Sequence, residues 1–198
     1  MAGFFIMSTS GRFILVTGGA RSGKSRFAVE LAQTFGHRIV YIATCQAADR
    51  EMTQRIARHR LQRPRHWHTI ERPADPVAAI ARLDGKTSGV ILDCLTMYVS
   101  DQLVRGHSEA KIAQKVRRLC EAIRGAAFPV ILVTNEVGSS VVPERPLGRR
   151  FRDLAGGANQ IAARFADQVF LMVAGIPVQV KDGNVSVSDT VWRRRHGI

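Results

Sequence analysis

One stretch of the sequence has the residue types and spacing of a phosphate-binding loop. Residues 18–25 read GGARSGKS and fit the pattern G-x-x-x-x-G-K-S. In such loops the glycines let backbone N–H groups turn toward phosphate oxygens, the lysine contacts the β and γ phosphates, and the hydroxyl binds Mg²⁺. We therefore predict a nucleoside triphosphate site in which Lys24 is catalytic and Ser25 is a metal ligand. The nucleotide-binding residues of the loop are Gly18, Gly19, Ala20, Arg21, Ser22, Gly23, Lys24 and Ser25.

The residues around this loop predict the strand and the helix that it needs. Residues 13–17 (FILVT) form an apolar run typical of a buried strand. Over residues 24–35, phenylalanine and leucine recur every four positions, which predicts one face of a helix. A strand, a glycine-rich turn and a helix N-terminus in this order direct backbone N–H groups and the helix dipole at one point. A chance glycine turn before a helix is the alternative, and the flanking patterns disfavour it.

Asp93 is the candidate for a second Mg²⁺ ligand. It ends the apolar run GVILD at residues 89–93. A carboxylate at the carboxyl end of a strand can hold Mg²⁺ directly or through water beside a phosphate-binding loop. An aspartate that caps the following turn is the alternative, and the loop at residues 18–25 favours the metal role.

A basic segment, RIARHRLQRPRHW at residues 55–67, could place a histidine among arginines. If residues 49–61 are helical, His59 lies on the same face as Met52 and Ile56. A buried core histidine is the usual reason for such a pattern. Arginines around an inward imidazole would keep one of its nitrogens unprotonated and attract a triphosphate, as attack on phosphorus requires. His66 and His68 could form a metal pair, but no third ligand accompanies them.

The rest of the chain alternates strand and helix patterns, which favours a mostly parallel sheet with helices on both faces. We predict an α/β fold of the P-loop NTPase (RecA-like) class, ending in a hairpin formed by residues 168–173 and 177–181. The further predicted strands are residues 38–42, 67–71, 89–93 and 129–135, and the further helices are residues 49–61, a segment opened by Asp75-Pro76, 109–124 and 150–166.

Two connecting features carry no assigned chemistry. Residues 136–150 form a loop rich in Gly, Pro and Arg, long enough to be a candidate functional loop. Asn135 and Glu136 close a predicted strand at its carboxyl end, where they could position substrate or simply form a turn. We expect one domain over residues 1–198, with a core at about residues 13–181 and with residues 1–10 and 185–198 loosely attached.

Net charge, cysteine spacing and the length of apolar runs limit the classes of protein to which this sequence could belong. The 198 residues include 29 Lys and Arg against 16 Asp and Glu, a formal net charge of +13. The charge fits phosphorylated small molecules, and it also fits a nucleic-acid-dependent P-loop ATPase. The three cysteines lack C-x-x-C spacing, which argues against a disulfide framework and a zinc ribbon. No apolar run approaches the length of a membrane span, and residues 1–10 lack the basic start of a secretory signal, so we predict a cytoplasmic protein.

Four blocks of sequence together resemble one family. The chain is similar, from about residue 13 to about residue 181, to the bifunctional adenosylcobinamide kinase/adenosylcobinamide-phosphate guanylyltransferase family of cobalamin biosynthesis. The blocks occur in the family's order, and their combination is far more specific than the phosphate loop alone. They are GGARSGKSRFA, YIATCQAADREMTQRIARHRLQRPRHWHTIE, VILDCLTMYV and VILVTNEVGSSVVPE followed by RRFRDLAGGANQ.

The resemblance implies two reactions on one chain. In the first, the γ-phosphoryl group of ATP or GTP passes to the hydroxyl of the aminopropanol arm of adenosylcobinamide. In the second, a histidine attacks the α-phosphorus of GTP and expels pyrophosphate, and the guanylyl-histidine then passes GMP to adenosylcobinamide phosphate. The family's nucleophile falls on His59.

The resemblance also implies the nucleotide contacts, Mg²⁺ and a homo-oligomer. Cys45 stands where serine is also usual, which leaves a backbone contact unaffected. Two other classes remain open beside the nucleic-acid-dependent ATPase: a regulatory nucleotide-binding module, and a kinase that has lost the guanylyl step. The family contacts outside the phosphate loop fall on Ala43, Thr44, Cys45, Arg60, Leu61, Gln62, Arg63, Glu71 and Asp93.

Overall fold

A single eight-stranded sheet forms the centre of the fold. The structure is a computed structural model that describes residues 12–45, 54, 57, 60, 63–139, 141–183 and 185–186. The strands are β1 (Phe13–Gly18), β2 (Ile39–Ala43), β3 (His68–Glu71), β4 (Gly89–Asp93), β5 (Val130–Val133), β6 (Gln168–Val173), β7 (Ile176–Asp182) and β8 (Val185–Ser186). The helices with defined bounds are α1 (Lys24–Gln33), α2 (Pro76–Ala81), α3 (Leu95–Val104), α4 (Glu109–Arg124) and α5 (Pro146–Phe165).

The sheet is mostly parallel and ends in a hairpin. Its strand order is β3-β2-β4-β5-β1-β6-β7-β8. All neighbouring pairs from β3 to β6 are parallel, and β7 runs antiparallel to both of its neighbours, β6 and β8. Ala174 and Gly175 form the hairpin turn, both with positive φ, the conformation that two-residue hairpin turns favour. The predicted fold class and its C-terminal hairpin are confirmed.

Apolar side chains cover both faces of the sheet. On one face, the core contains Leu15, Leu92 and Leu132 together with buried residues of α3, α4 and α5. On the other, Ile14 and Ile131 pack with buried alanines of α1. Consecutive strand residues are therefore buried on opposite faces, which explains why the central strands appear in the sequence as continuous apolar runs.

Two helices differ from the sequence-based expectation. Helix α3 was not anticipated, because six of its ten residues are buried and its sequence, LTMYVSDQLV, shows no clear polar face. Helix α5 begins at Pro146 rather than at residue 150, since proline is well suited to the first turn of a helix. The loop predicted over residues 136–150 is correspondingly shorter.

Part of the chain lies outside the described residues. Gln54, Ala57 and Arg60 are helical, in agreement with the helix predicted over residues 49–61. Residues 1–11 and 187–198, which contain most of the two terminal segments expected to be loosely attached, are outside the described part. Among the described helices, none combines the length and apolar character of a membrane span.

Lys181 stabilises the end of α5, and its removal should weaken the fold. Its Nζ donates to the carbonyl oxygen of Ala163, in the last turn of the helix, at 3.1 Å and to that of Ala166, the C-cap residue, at 2.6 Å. We expect Lys181→Met to lower the free energy of unfolding by about 1–2 kcal/mol, as for the loss of charged hydrogen bonds. Urea denaturation measures this change. Lys86→Met, at an exposed position, is the matched control, and an equal effect of both substitutions would contradict the capping role.

Candidate functional site

The predicted phosphate loop connects the end of β1 to the start of α1. Arg21 and Gly23 have left-handed φ angles of 58° and 96°, which turn the chain sharply before Lys24. At Gly18, φ is 148° and an added Cβ would lie 2.6 Å from the carbonyl oxygen of Met172. A residue with a side chain would therefore have to displace β6. The local sequence thus produces the tight turn at a helix N-terminus that anion binding requires.

Lys24 places its charge inside this turn. The residue is only 7% exposed. Its Nζ donates to the carbonyl oxygens of Gly18 at 2.9 Å and Gly19 at 2.6 Å. These bonds, together with a longer one to Ser22 Oγ at 3.5 Å, hold a buried ammonium group within the loop.

Strand register brings together candidate residues that are far apart in the sequence. Ala43 of β2 pairs with Glu71 of β3 on one side and with Asp93 of β4 on the other. The backbone N–H of Thr44 donates to the carbonyl oxygen of Asp93 at 2.8 Å. The Thr44 hydroxyl also bonds both the N–H and the carbonyl of Cys94, at 2.8 Å each. These residues therefore form one row at the carboxyl edge of the parallel sheet, where ligands of such folds bind.

A chain of contacts links the arginines to Asp93. Arg60 Nε and Arg63 Nη1 both donate to Glu71 Oε1, at 3.0 Å and 3.4 Å. The Arg63 guanidinium lies 3.6 Å from the centroid of the Tyr41 ring, within cation–π range. The Tyr41 hydroxyl donates in turn to Asp93 Oδ2 at 2.5 Å. Two positive side chains are thereby held beside two carboxylates at the edge of β2, β3 and β4.

Burial keeps Tyr41 protonated in this chain. Desolvation raises the pKa of Tyr41 well above its ordinary value, the negative charge of Asp93 raises this pKa further, and Arg63 opposes the change. A protonated Tyr41 is a hydrogen-bond donor to Asp93 Oδ2. That bond fixes the orientation of the carboxylate through Oδ2.

The structure describes most, but not all, of the predicted site residues. The phosphate loop, residues 43–45, Arg60, Arg63, Glu71 and Asp93 are described, whereas His59, Leu61 and Gln62 lie outside the described residues. His66 and His68 are exposed. Within the described ranges, no group of three or more His, Cys, Asp or Glu side chains could hold a metal ion by itself.

The sequence predicted only part of a polar network at the end of strand β5. Thr134 is fully buried, and its hydroxyl donates to Asn159 Oδ1 at 2.7 Å. Asn159 Nδ2 donates to the carbonyl oxygen of Asn135 at 3.0 Å, and the N–H of Asn135 donates to Thr96 Oγ1 at 2.7 Å. The sequence singled out Asn135 and Glu136 but not Thr96 or Asn159. A lone asparagine in the apolar stripe of α5 is the signal that could have found the latter.

Alkylation of the three cysteines tests how far each thiol is buried. Burial first, and Asp93 second, raise the pKa of Cys94 to about 12, and burial raises the pKa of Cys120 to about 12. Neither thiol should therefore react with iodoacetamide in the native protein at pH 8, and both should react after denaturation. Cys45 is partly exposed, and we expect GTP to slow its alkylation. Mass spectrometry of labelled peptides reads out all three sites, and rapid native labelling of Cys94 would contradict its burial.

Comparison with solved structures agrees with the fold. A KaiC-like protein, PH0186 from Pyrococcus horikoshii OT3, superposes with a TM-score of 0.51 and 18% sequence identity, covering 82% of this chain and 71% of that one. At this identity the likeness concerns the fold alone, and it supports the RecA-like P-loop class.

Comparison with protein sequences is more specific. Residues 14–180 match the family model described as cobinamide kinase / cobinamide phosphate guanyltransferase. The bifunctional adenosylcobalamin biosynthesis protein CobU of Escherichia coli K12 is 41% identical over 180 residues, covering 85% of this chain and 99% of that protein. The corresponding protein CobP of Pseudomonas aeruginosa is 41% identical over 168 residues, covering 84% of this chain and 96% of that protein. The chain therefore belongs to the family of bifunctional cobinamide kinases and cobinamide phosphate guanylyltransferases, P-loop enzymes of cobalamin biosynthesis.

Proposed function

We propose that this enzyme phosphorylates adenosylcobinamide with ATP or GTP and then transfers GMP from GTP through a guanylyl-histidine at His59. In the first reaction, the acceptor hydroxyl oxygen bonds to the γ-phosphorus while the bond from that phosphorus to the nucleoside diphosphate breaks. The hydroxyl proton leaves with a base, and the electron pair of the broken bond stays on the diphosphate. The product is adenosylcobinamide phosphate.

The second reaction proceeds in two displacements. An imidazole nitrogen of His59 bonds to the α-phosphorus of GTP, and pyrophosphate leaves with the electron pair of the broken P–O bond. A phosphate oxygen of adenosylcobinamide phosphate then bonds to the same phosphorus, and the N–P bond breaks to restore the imidazole. Splitting the transfer in this way gives two in-line steps at a phosphorus atom whose charge the site neutralises. The product is adenosylcobinamide-GDP.

The observation that carries the proposal is the shared edge of the sheet. Lys24 lies within the phosphate loop, which follows β1. Asp93 ends β4, which is separated from β1 in the sheet by one strand, β5. Arg60 is tied to Glu71 at the edge of the same sheet, and the proposed nucleophile His59 directly precedes Arg60 in the chain. This arrangement supports a common site for the triphosphate and the nucleophile.

The arginines and Glu71 fit the remaining parts of a nucleotide. The Arg63 side chain is 8% exposed. Its Nε is buried and has no hydrogen-bond partner among the described residues, so it could donate to a phosphate or another ligand oxygen. Glu71 retains an oxygen, Oε2, that could accept N–H or O–H bonds from guanine or ribose. We assign these residues, with residues 43–45 and 60–63, to nucleotide binding.

The donor set fits Mg²⁺. Ser25 Oγ and Asp93 Oδ1 are hard oxygen donors, and Mg²⁺ in phosphate-transfer sites is held by few protein oxygens together with phosphates and water. When bound, the ion would neutralise charge on the phosphate oxygens. The hydroxyl of Tyr41 orients the Asp93 carboxylate through Oδ2.

Isotope transfer tests the two reactions separately. Purified enzyme with adenosylcobinamide and ATP labelled at the γ-phosphate should give labelled adenosylcobinamide phosphate. Enzyme with that product and GTP labelled at the α-phosphate should give labelled adenosylcobinamide-GDP and one equivalent of pyrophosphate. Transfer of the γ label without transfer of the α label would restrict the protein to the kinase reaction, and absence of both would reject the proposal.

We also propose that the partners are small molecules and further copies of this chain, not nucleic acid. Apolar side chains exposed on the β6–β7 hairpin, Val173, Ile176 and Val178, support self-association. Light scattering should give a mass that is a multiple of 21.8 kDa. An ATPase stimulated by DNA or RNA, with steeply salt-dependent binding, would contradict the assignment of partners.

A further inference from the structure

Glu136 lies beside the phosphate loop without an assigned role. Its backbone N–H donates to the carbonyl oxygen of Gly18 at 2.9 Å. Lys24 Nζ donates to that same oxygen at 2.9 Å. The main chain of Glu136 is therefore only two hydrogen bonds away from the ammonium group that contacts the β and γ phosphates in loops of this kind.

Strand order gives Glu136 a central position at the sheet edge. β5 pairs with β1, which leads into the phosphate loop, and with β4, which ends at Asp93. Glu136 follows β5 by three residues. Glu136 therefore follows the strand that lies between β1, which leads to Lys24, and β4, which ends at the proposed metal ligand Asp93.

The carboxylate of Glu136 is held by neutral donors. Oε1 accepts from the N–H of Gly138 at 3.2 Å, and Oε2 accepts from Asn159 Nδ2 at 3.4 Å. Asn159 is fixed by the buried hydroxyl of Thr134. Since each carboxylate oxygen can accept two hydrogen bonds, both oxygens of Glu136 keep capacity for a substrate hydroxyl.

The other carboxylates of the row are engaged differently. Glu71 forms ion pairs with Arg60 and Arg63, and Asp93 accepts the hydroxyl of Tyr41. Their contacts are therefore to positive side chains or to the tyrosine beside the proposed metal site, whereas Glu136 contacts only neutral amide donors.

We propose that Glu136 is the catalytic carboxylate of the kinase reaction, where it orients the acceptor hydroxyl and takes its proton. As the hydroxyl oxygen bonds to the γ-phosphorus, the O–H proton passes to the carboxylate of Glu136. The bond between the γ-phosphorus and the bridging oxygen breaks, and its electron pair stays on the departing nucleoside diphosphate. Guanylylation of a histidine has no alcohol acceptor and does not use this group. This role of Glu136 rests on the proposed function, in which the chain phosphorylates adenosylcobinamide before it transfers GMP.

Glu136→Gln tests this role, because it keeps the shape of the side chain and removes the base. We expect the kcat of phosphoryl transfer to adenosylcobinamide to fall by about 10²–10⁴-fold, the usual contribution of a general base. The KM for ATP and the formation of guanylyl-enzyme from GTP should stay within about threefold of wild type, because neither step needs a general base for an alcohol. Glu136→Asp, which keeps a carboxylate, should recover part of the lost kcat.

Glu121→Gln is the matched control, because it makes the same chemical change at an exposed position on α4. An unchanged kinase kcat in Glu136→Gln would overturn the inference. So would a rise in the KM for ATP with no fall in kcat, or an equal loss of both reactions, since each indicates a role in binding nucleotide or in folding. A wild-type enzyme that lacks both reactions would reject the proposed function instead, so the two failures are distinguishable.

Discussion

Lys24→Met should reduce the kcat/KM of phosphoryl transfer by about 10³-fold, the scale found when one preorganised donor to transition-state charge is removed. The substitution removes a buried positive charge and one of the two hydrogen-bond donors to each of the carbonyl oxygens of Gly18 and Gly19. It should impair both reactions, because each begins with a triphosphate bound in the loop. Steady-state assays with ATP and adenosylcobinamide measure the first reaction, and labelling with GTP measures the second.

Lys86→Met provides the control for this substitution. It makes the same chemical change at an exposed residue outside the loop, and it should leave both activities near wild type. If Lys24→Met kept both activities within tenfold of wild type while folding normally, the loop would not be the phosphate site.

His59→Asn should abolish guanylyl transfer and spare the kinase. Loss of a covalent nucleophile lowers the rate by about 10⁴-fold or more, since the remaining groups bind substrate but cannot form the intermediate. Phosphorylation of adenosylcobinamide needs no such intermediate and should continue at close to the wild-type rate. The ratio of the two activities, measured on one preparation, separates this result from general damage to the protein.

His66→Asn is the matched control for the nucleophile. It lies in the same basic segment, and its side chain is exposed. It should retain both activities. Equal loss of guanylyl transfer in the two variants would show that the segment, and not one imidazole, is needed for the reaction.

The tight turn between β1 and α1 could be predicted because all of its determinants are local. A buried strand, the glycines at positions 18 and 23, Lys24 and the start of α1 follow one another within residues 13–25, and the turn needs no distant partner except β6. The position of Asp93 at the carboxyl end of β4 was also predictable, because its run of apolar residues marks a buried parallel strand. The strand patterns were clear because buried parallel strands are apolar throughout.

The contacts between distant elements could not be predicted. The link from Arg63 through Tyr41 to Asp93 depends on the pairing and register of β2 with its neighbours, which the sequence pattern does not specify. The contact of Asn159 with Glu136 depends on how α5 packs against the sheet. Helix α3 was missed because burial on several sides removes the polar stripe by which a surface helix is identified.

The most direct measurement is to find where GMP becomes attached. The protein is incubated with GTP labelled at the α-phosphate, denatured, and divided between acid and alkali before peptide mapping. A phosphoramidate on histidine should be lost in acid, survive in alkali, and map to His59, with no label on His59→Asn. Active wild-type enzyme that transfers GMP without becoming labelled, or that carries the label on another residue, would contradict the account.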